Sequence, residues 1–157
     1  MSMYSIRMVT PNVGRSALAA ERTRALGGIY AHHGAKVRVA RVVAGDAAGQ
    51  IFLGVSVDDG KSLAQVFEKV EADPSFAKLR EEHELNPAGS LSGPEVFRIV
   101  HGKVDHGYPV ILQREYAVSR DKLAGQLALM PELDALIRGQ DIKVLAAVRC
   151  SPAIWGG

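Results

Sequence analysis

The sequence predicts an α+β fold: a β-α-β-β-α-β unit followed in tandem by a second, incomplete copy of itself. Three observations predict it. Strand-like alternation and helix-like spacing succeed one another in that order between Tyr4 and Val100. Cap and turn residues fall where the period changes. Finally, residues 13–45 return at 118–150. Val13-Gly-Arg-Ser-Ala-Leu-Ala faces Val118-Ser-Arg-Asp-Lys-Leu-Ala, and Gly34-Ala-Lys-Val-Arg-Val faces Gly139-Gln-Asp-Ile-Lys-Val. Both matches sit at one offset of about 105 residues, and self-similarity at a fixed offset marks a repeated supersecondary unit. Tyr4 and Tyr108 open the preceding strands of the two copies.

Residues 4–10 alternate, with Tyr4, Ile6 and Met8 on one face. Pro11 and Asn12 end that strand, and Asn12 or Ser16 can cap the next helix. Its spacing aligns Leu18, Arg22, Ala25, Leu26, Ile29 and Tyr30 on one stripe. Gly27-Gly28 weakens this helix by about 1 kcal/mol per glycine relative to alanine, so a bend or a close approach to the sheet is expected there. Gly34 stops it. Residues 36–43 and 50–57 read as strands joined by a hairpin over 45–49. Ser62-Leu-Ala-Gln65 has the form of a capping box, and Leu63, Val66, Phe67 and Val70 make one helical face. Asp73-Pro74 then caps and opens a shorter helix that carries Phe76 and Leu79 inward and ends near Leu85. Residues 86–94, rich in Gly, Ser and Pro, read as a loop, and 95–100 as the fourth strand. Residues 1–101 thus form one ferredoxin-like unit, the split β-α-β pattern.

Residues 108–157 read as a partial second unit. Its first strand is expected over 108–116 and its helix after Ser119, with Leu123, Leu127, Met130, Leu133, Leu136 and Ile137 as the buried stripe. Pro131 must bend or restart that helix. It lies within a residue of the repeat position of Gly27-Gly28, so equivalent bends are expected in the two copies. Residues 141–148 read as the second strand, and Ile154-Trp155 as the onset of a third. By the first copy's measure about 45 residues are then wanting. A β-α-β piece with an open edge is unstable alone. The expectation is that the chain belongs to a longer protein, or that a second chain completes it in a homo-oligomer.

A chain of 157 residues suits one domain, or two small ones sharing a core. With 47% apolar and 23% charged residues it has an ordinary globular balance. The net charge of +2 comes from interleaved acids and bases, as in Glu21-Arg22-Thr23-Arg24, which argues against a nucleic-acid stripe. One cysteine, Cys150, excludes an internal disulfide and fits a reducing compartment. No apolar run serves as a signal peptide or membrane span, so a cytoplasmic protein with no membrane partner is expected.

Two stretches and the repeat carry a family resemblance. The first is the strand-hairpin run from Val37 to Gly49. The second is Ala72-Asp-Pro-Ser-Phe-Ala-Lys-Leu79, similar to the A-D-P-x-F-x-x-L form of these domains. In them the chain resembles the dimeric α+β barrel superfamily, in particular its NIPSNAP-like, EthD-like and antibiotic-biosynthesis-monooxygenase-like members. The resemblance implies two four-stranded sheets packed face to face, helices outside, and a small hydrophobic ligand between a sheet and its helices. It spans most of residues 4–100 and part of 108–157, and it carries over no catalytic residue.

The chemistry-bearing residues form no strong signature. His32 and His33 end the first helix, where a histidine complements the helix dipole; the functional alternative is that one reaches a pocket as a base or haem ligand. His101, Asp105 and His106 lack zinc-motif spacing and read as a solvated linker, and Glu81-Glu82-His83-Glu84 as an exposed helical end. Cys150 reads as an inert thiol, and no glycine cluster has phosphate-loop form. Arg98 and Arg114 lie in expected strands, where an inward arginine needs an acid or an anionic ligand. Most aromatics read as core, with the polar-tipped ones placed to edge a cavity. Pocket candidates are therefore Tyr4, Tyr30, His33, Phe67, Arg98 and Tyr116. No metal and no cofactor are expected. The function expected is non-catalytic binding of a small hydrophobic ligand. The alternative is a cofactor-independent monooxygenase or isomerase acting on a small phenolic or quinone-like substrate, with Tyr30, His33 and Arg98 near a helix-sheet cleft.

Overall fold

The computed structural model describes residues 1–150. In order they form β1 (Met3–Pro11), α1 (Ser16–His32), β2 (Lys36–Arg41), β3 (Ile51–Val57), α2 (Gly60–Glu71), α3 (Pro74–Leu85), β4 (Gly89–His101), α4 (Arg120–Ala128), α5 (Met130–Ile137) and β5 (Ala146–Arg149). The strands make one antiparallel sheet in the order β2-β3-β1-β4-β5. Its first four strands have the ferredoxin-like arrangement, with β3 inserted between the two strands that α1 connects. No helix among the described residues is long and apolar enough to cross a membrane.

Register assigns the two faces. Ser5 pairs with Val55 and Val96, while Tyr4 pairs with Ser56 and Phe97. Side chains alternate across a strand, so Ser5, Arg7 and Val9 share a face with Ile51, Leu53 and Val55. Helices α1, α2 and α3 cover that face. Leu53 is 0% exposed there, packed with Leu26, Tyr30, Val55, Val66 and Val70, and Leu63 of α2 is likewise 0% exposed. Each such side chain contributes about 1.5–3 kcal/mol through burial. The other face carries Tyr4, Ile6, Phe97 and Ile99, flanked by Met8 and Phe52. Val104, from the segment after β4, packs onto it.

Helix α1 turns a different stripe inward from the one expected. Ala19, Ala20, Thr23, Leu26, Gly27 and Tyr30 are buried; Leu18, Arg22 and Ile29 are half-buried and Ala25 is exposed. Small residues win because the helix lies close to the sheet. A Cβ at Gly27 would stand 3.0 Å from Val37 Cγ1 and 3.5 Å from Leu53 Cδ1. The helix runs through Gly27 and Gly28 without a break, whereas α4 ends and α5 begins around Pro131. The expectation of equivalent bends is therefore corrected: Gly27 serves close packing, and Gly28 faces open space. Neither Asn12 nor Ser16 caps α1, whose N-cap is Arg15. Asp59 rather than Ser62 caps α2, accepting from the Ser62 N–H at 2.7 Å. Asp73 caps α3 as expected, accepting from the Ser75 N–H at 2.8 Å.

Two further readings are corrected. The expected loop over 86–94 is mostly strand, because Gly89–Ser92 pairs with the second half of β1. The ladder slips opposite Arg7, and Pro94, which has no N–H to donate, sits at that irregularity. Residues 108–116 form no strand, and the second strand of the repeat shortens to β5. β5 takes the free edge of β4, so the second unit extends the first sheet and no second sheet forms among the described residues. Helices α4 and α5 touch each other and bury no residue. The third-strand onset expected at Ile154-Trp155 lies outside the described residues.

Candidate functional site

A groove of about 460 Å³ opens between the sheet and helices α1 and α3. β1 sends Arg7 and Val9 into it by alternation, α1 contributes Leu26, and α3 contributes Phe76 and Leu79. Short residues border it at the junction: Ala19, Ala88 and Gly89. Gly89 is itself forced, since a Cβ there would collide with the Thr10 carbonyl.

Most of the charges around the groove are already engaged. Arg80 meets Glu71 at 3.7 Å and lies over the Phe76 ring, 5.7 Å from its centroid. Arg22 donates to the carbonyls of Asn86 and, at 3.1 Å, Glu82, satisfying the open C-terminal end of α3. Thr23 donates back to the Ala19 carbonyl at 2.7 Å. Arg7 is half-buried and forms no ion pair among the described residues.

A polar cluster lies on the opposite face of the sheet. Ser56 Oγ is 3.1 Å from His106 Nε2. Arg38 stands opposite Gly54, beside Ser56 on the same face. Arg38 Nη1 and His106 Nδ1 are buried without a partner among the described residues. Burial, and then the positive charges of Arg38 and Lys36, push the His106 pKa down. Burial pushes the Tyr4 hydroxyl up to about 12, with Arg38 acting weakly against it.

The residues singled out from sequence are dispersed. Tyr30 and Phe67 meet edge-on in the helix-side core, 6.1 Å between centroids. His33 Nε2 lies 2.7 Å from Asp73 Oδ2, tying the end of α1 to the start of α3. That bond, with the Ser75 N–H, holds the Asp73 carboxyl below its usual range. Tyr4 is on the opposite face, Arg98 is exposed on β4, and Tyr116 is 74% exposed. None of the six lines the groove. His101, Asp105 and His106 go to separate partners: Asp134 at 3.8 Å, Lys143 at 2.8 Å, and Ser56. Of the groove residues, Phe76 and Leu79 were legible as inward-facing. Arg7 could have been found from the alternation that sets it apart from Tyr4, Ile6 and Met8.

No family model matches the sequence, and no curated protein matches it. Two solved structures are similar in chain path. One is an uncharacterized NIPSNAP domain protein from Burkholderia xenovorans, 17% identical, with a TM-score of 0.46, over 59% of this chain and 93% of that one. The other is Rv0793 from Mycobacterium tuberculosis, 9% identical, with a TM-score of 0.42, over 69% of this chain and 100% of that one.

Proposed function

We propose that this protein binds a small hydrophobic molecule in the groove between the sheet and helices α1 and α3, and works as a homo-oligomer. The observation that carries the reading is the groove itself. At about 460 Å³ it falls within the size range of small-molecule pockets, and Val9, Leu26, Phe76, Leu79 and Leu91 give it apolar walls. The oligomer is supported by apolar surface left uncovered: Val110, Ile111, Leu112 and Leu136 are each more than half exposed, and α4 and α5 bury nothing. A catalytic reading through Tyr30 and His33 finds less support, since Tyr30 is 3% exposed in the core and His33 is held by Asp73.

Titration with an apolar fluorophore, and displacement from it by small apolar compounds, tests the reading. Leu79→Trp fills the groove from α3 and is expected to weaken binding at least about tenfold with the fold intact by circular dichroism. Equal affinity in the two proteins would contradict the assignment.

A further inference from the structure

Resting on the groove reading, we propose that the molecule it takes is an amphipathic acid, with its apolar body against α1 and α3 and its carboxylate on Arg7. The argument begins with the strand. Arg7 faces the helices because Ser5 and Val9 do, and its neighbour across β3 is Leu53, which is 0% exposed. The Arg7 side chain is half-buried, lines the groove and has no ion-pair partner among the described residues, so an anionic group entering the groove meets an unpaired guanidinium. Among the described residues no carboxylate pairs with it. Of the two glutamates lining the groove, Glu71 is paired with Arg80, and Glu84 is exposed and unpaired with Arg7.

The other polar groups lining the groove narrow the ligand further. Arg22 is spent on the α3 carbonyls, and the Thr23 hydroxyl proton is spent on Ala19. Arg7 is therefore the arginine lining the groove that no other described residue engages. A planar guanidinium matches a carboxylate through two parallel N–H···O bonds. An alcohol of the same shape would leave the charge uncompensated. A polyanion would meet apolar walls that cannot solvate its remaining charge. One carboxylate on an apolar body satisfies both the cation and the walls.

Calorimetric titration of the full chain with a matched pair, decanoic acid and decanol, tests this, using Arg7→Met, Arg7→Lys and Leu79→Trp. The wild type is expected to bind the acid at least about tenfold more tightly than the alcohol. Arg7→Met, which keeps an apolar stem, should abolish that preference and leave alcohol affinity within about threefold; Arg7→Lys, a point charge without the fork, should keep part of it. Equal binding of acid and alcohol by the wild type overturns the carboxylate assignment and leaves the groove standing, as does a preference that survives in Arg7→Met. Failure of both ligands to bind, or binding indifferent to Leu79→Trp, overturns the groove reading itself. Should Arg7→Met fail to fold, the wild-type pair and Arg7→Lys still decide: a lysine variant identical to wild type counts against the fork.

Discussion

Gly54 is bare because Tyr4 occupies the place of its side chain. A Cβ there would collide with the Tyr4 hydroxyl and stand 2.8 Å from Phe52 Cε1. Gly54→Ala is expected to destabilise the protein by about 1–3 kcal/mol, as overpacking does. Tyr4→Phe removes the nearest clashing atom, so the penalty should shrink in the double variant. A urea-denaturation double-mutant cycle measures this coupling, and strict additivity would contradict it. His106, on the same face, predicts a pH dependence. Its folded pKa lies below the ordinary 6.5. The unfolded chain therefore takes up a proton that the folded chain resists. The associated stability is complete above about pH 6.5 and is lost as pH falls toward the folded value. The charged groups acting on it are Arg38 and Lys36, which oppose protonation, and Asp105, which favours it more weakly. Asp73 acts lower, in the window below its ordinary 3.8. Between about pH 7.5 and about pH 5.5 the wild type should lose more stability than His106→Gln, and equal losses would count against this account.

At the scale of elements, α1 shows two glycines with different reasons. Gly28 faces open space, so Gly28→Ala should stabilise the protein by about 1 kcal/mol through helix propensity. Gly27→Val should lower stability, because Val37, Val39 and Leu53 already stand against that position. Thermal melts of the two variants should move in opposite directions. The same helix marks what the sequence could and could not tell. The first three strands, the second half of β4 and the Asp73-Pro74 start of α3 were legible because each is encoded locally, by alternation or by a cap. The buried stripe of α1 was misphased, because hydrophobic spacing gives weight to Leu18 and Ile29 and little to Ala19, Ala20 and Gly27. The first half of β4 was hidden by its Gly, Ser and Pro content, since its pairing with β1 is non-local. The groove was illegible as a site for the same reason: β1, α1, α3 and β4 build it jointly, and no local pattern reveals that Arg7 lacks an acid.

At the scale of the molecule, the sheet buries apolar residues on both faces, while the segment after β4 leaves apolar side chains uncovered. Residues 108–145 carry Val110, Ile111, Leu112, Leu133 and Leu136 at the surface. The proposed homo-oligomer would cover part of this through a contact of at least about 1,000 Å². Size-exclusion chromatography with light scattering should give a dimer or larger assembly, and a stable, non-aggregating monomer would contradict that reading. The central claim concerns the groove, and a crystal structure of the protein grown with decanoic acid tests it most directly. The account predicts density for the acid between β1, α1 and α3, its carboxylate within hydrogen-bonding distance of Arg7. An acid bound instead beside Arg38 and His106 on the opposite face, with the groove vacant, would contradict it.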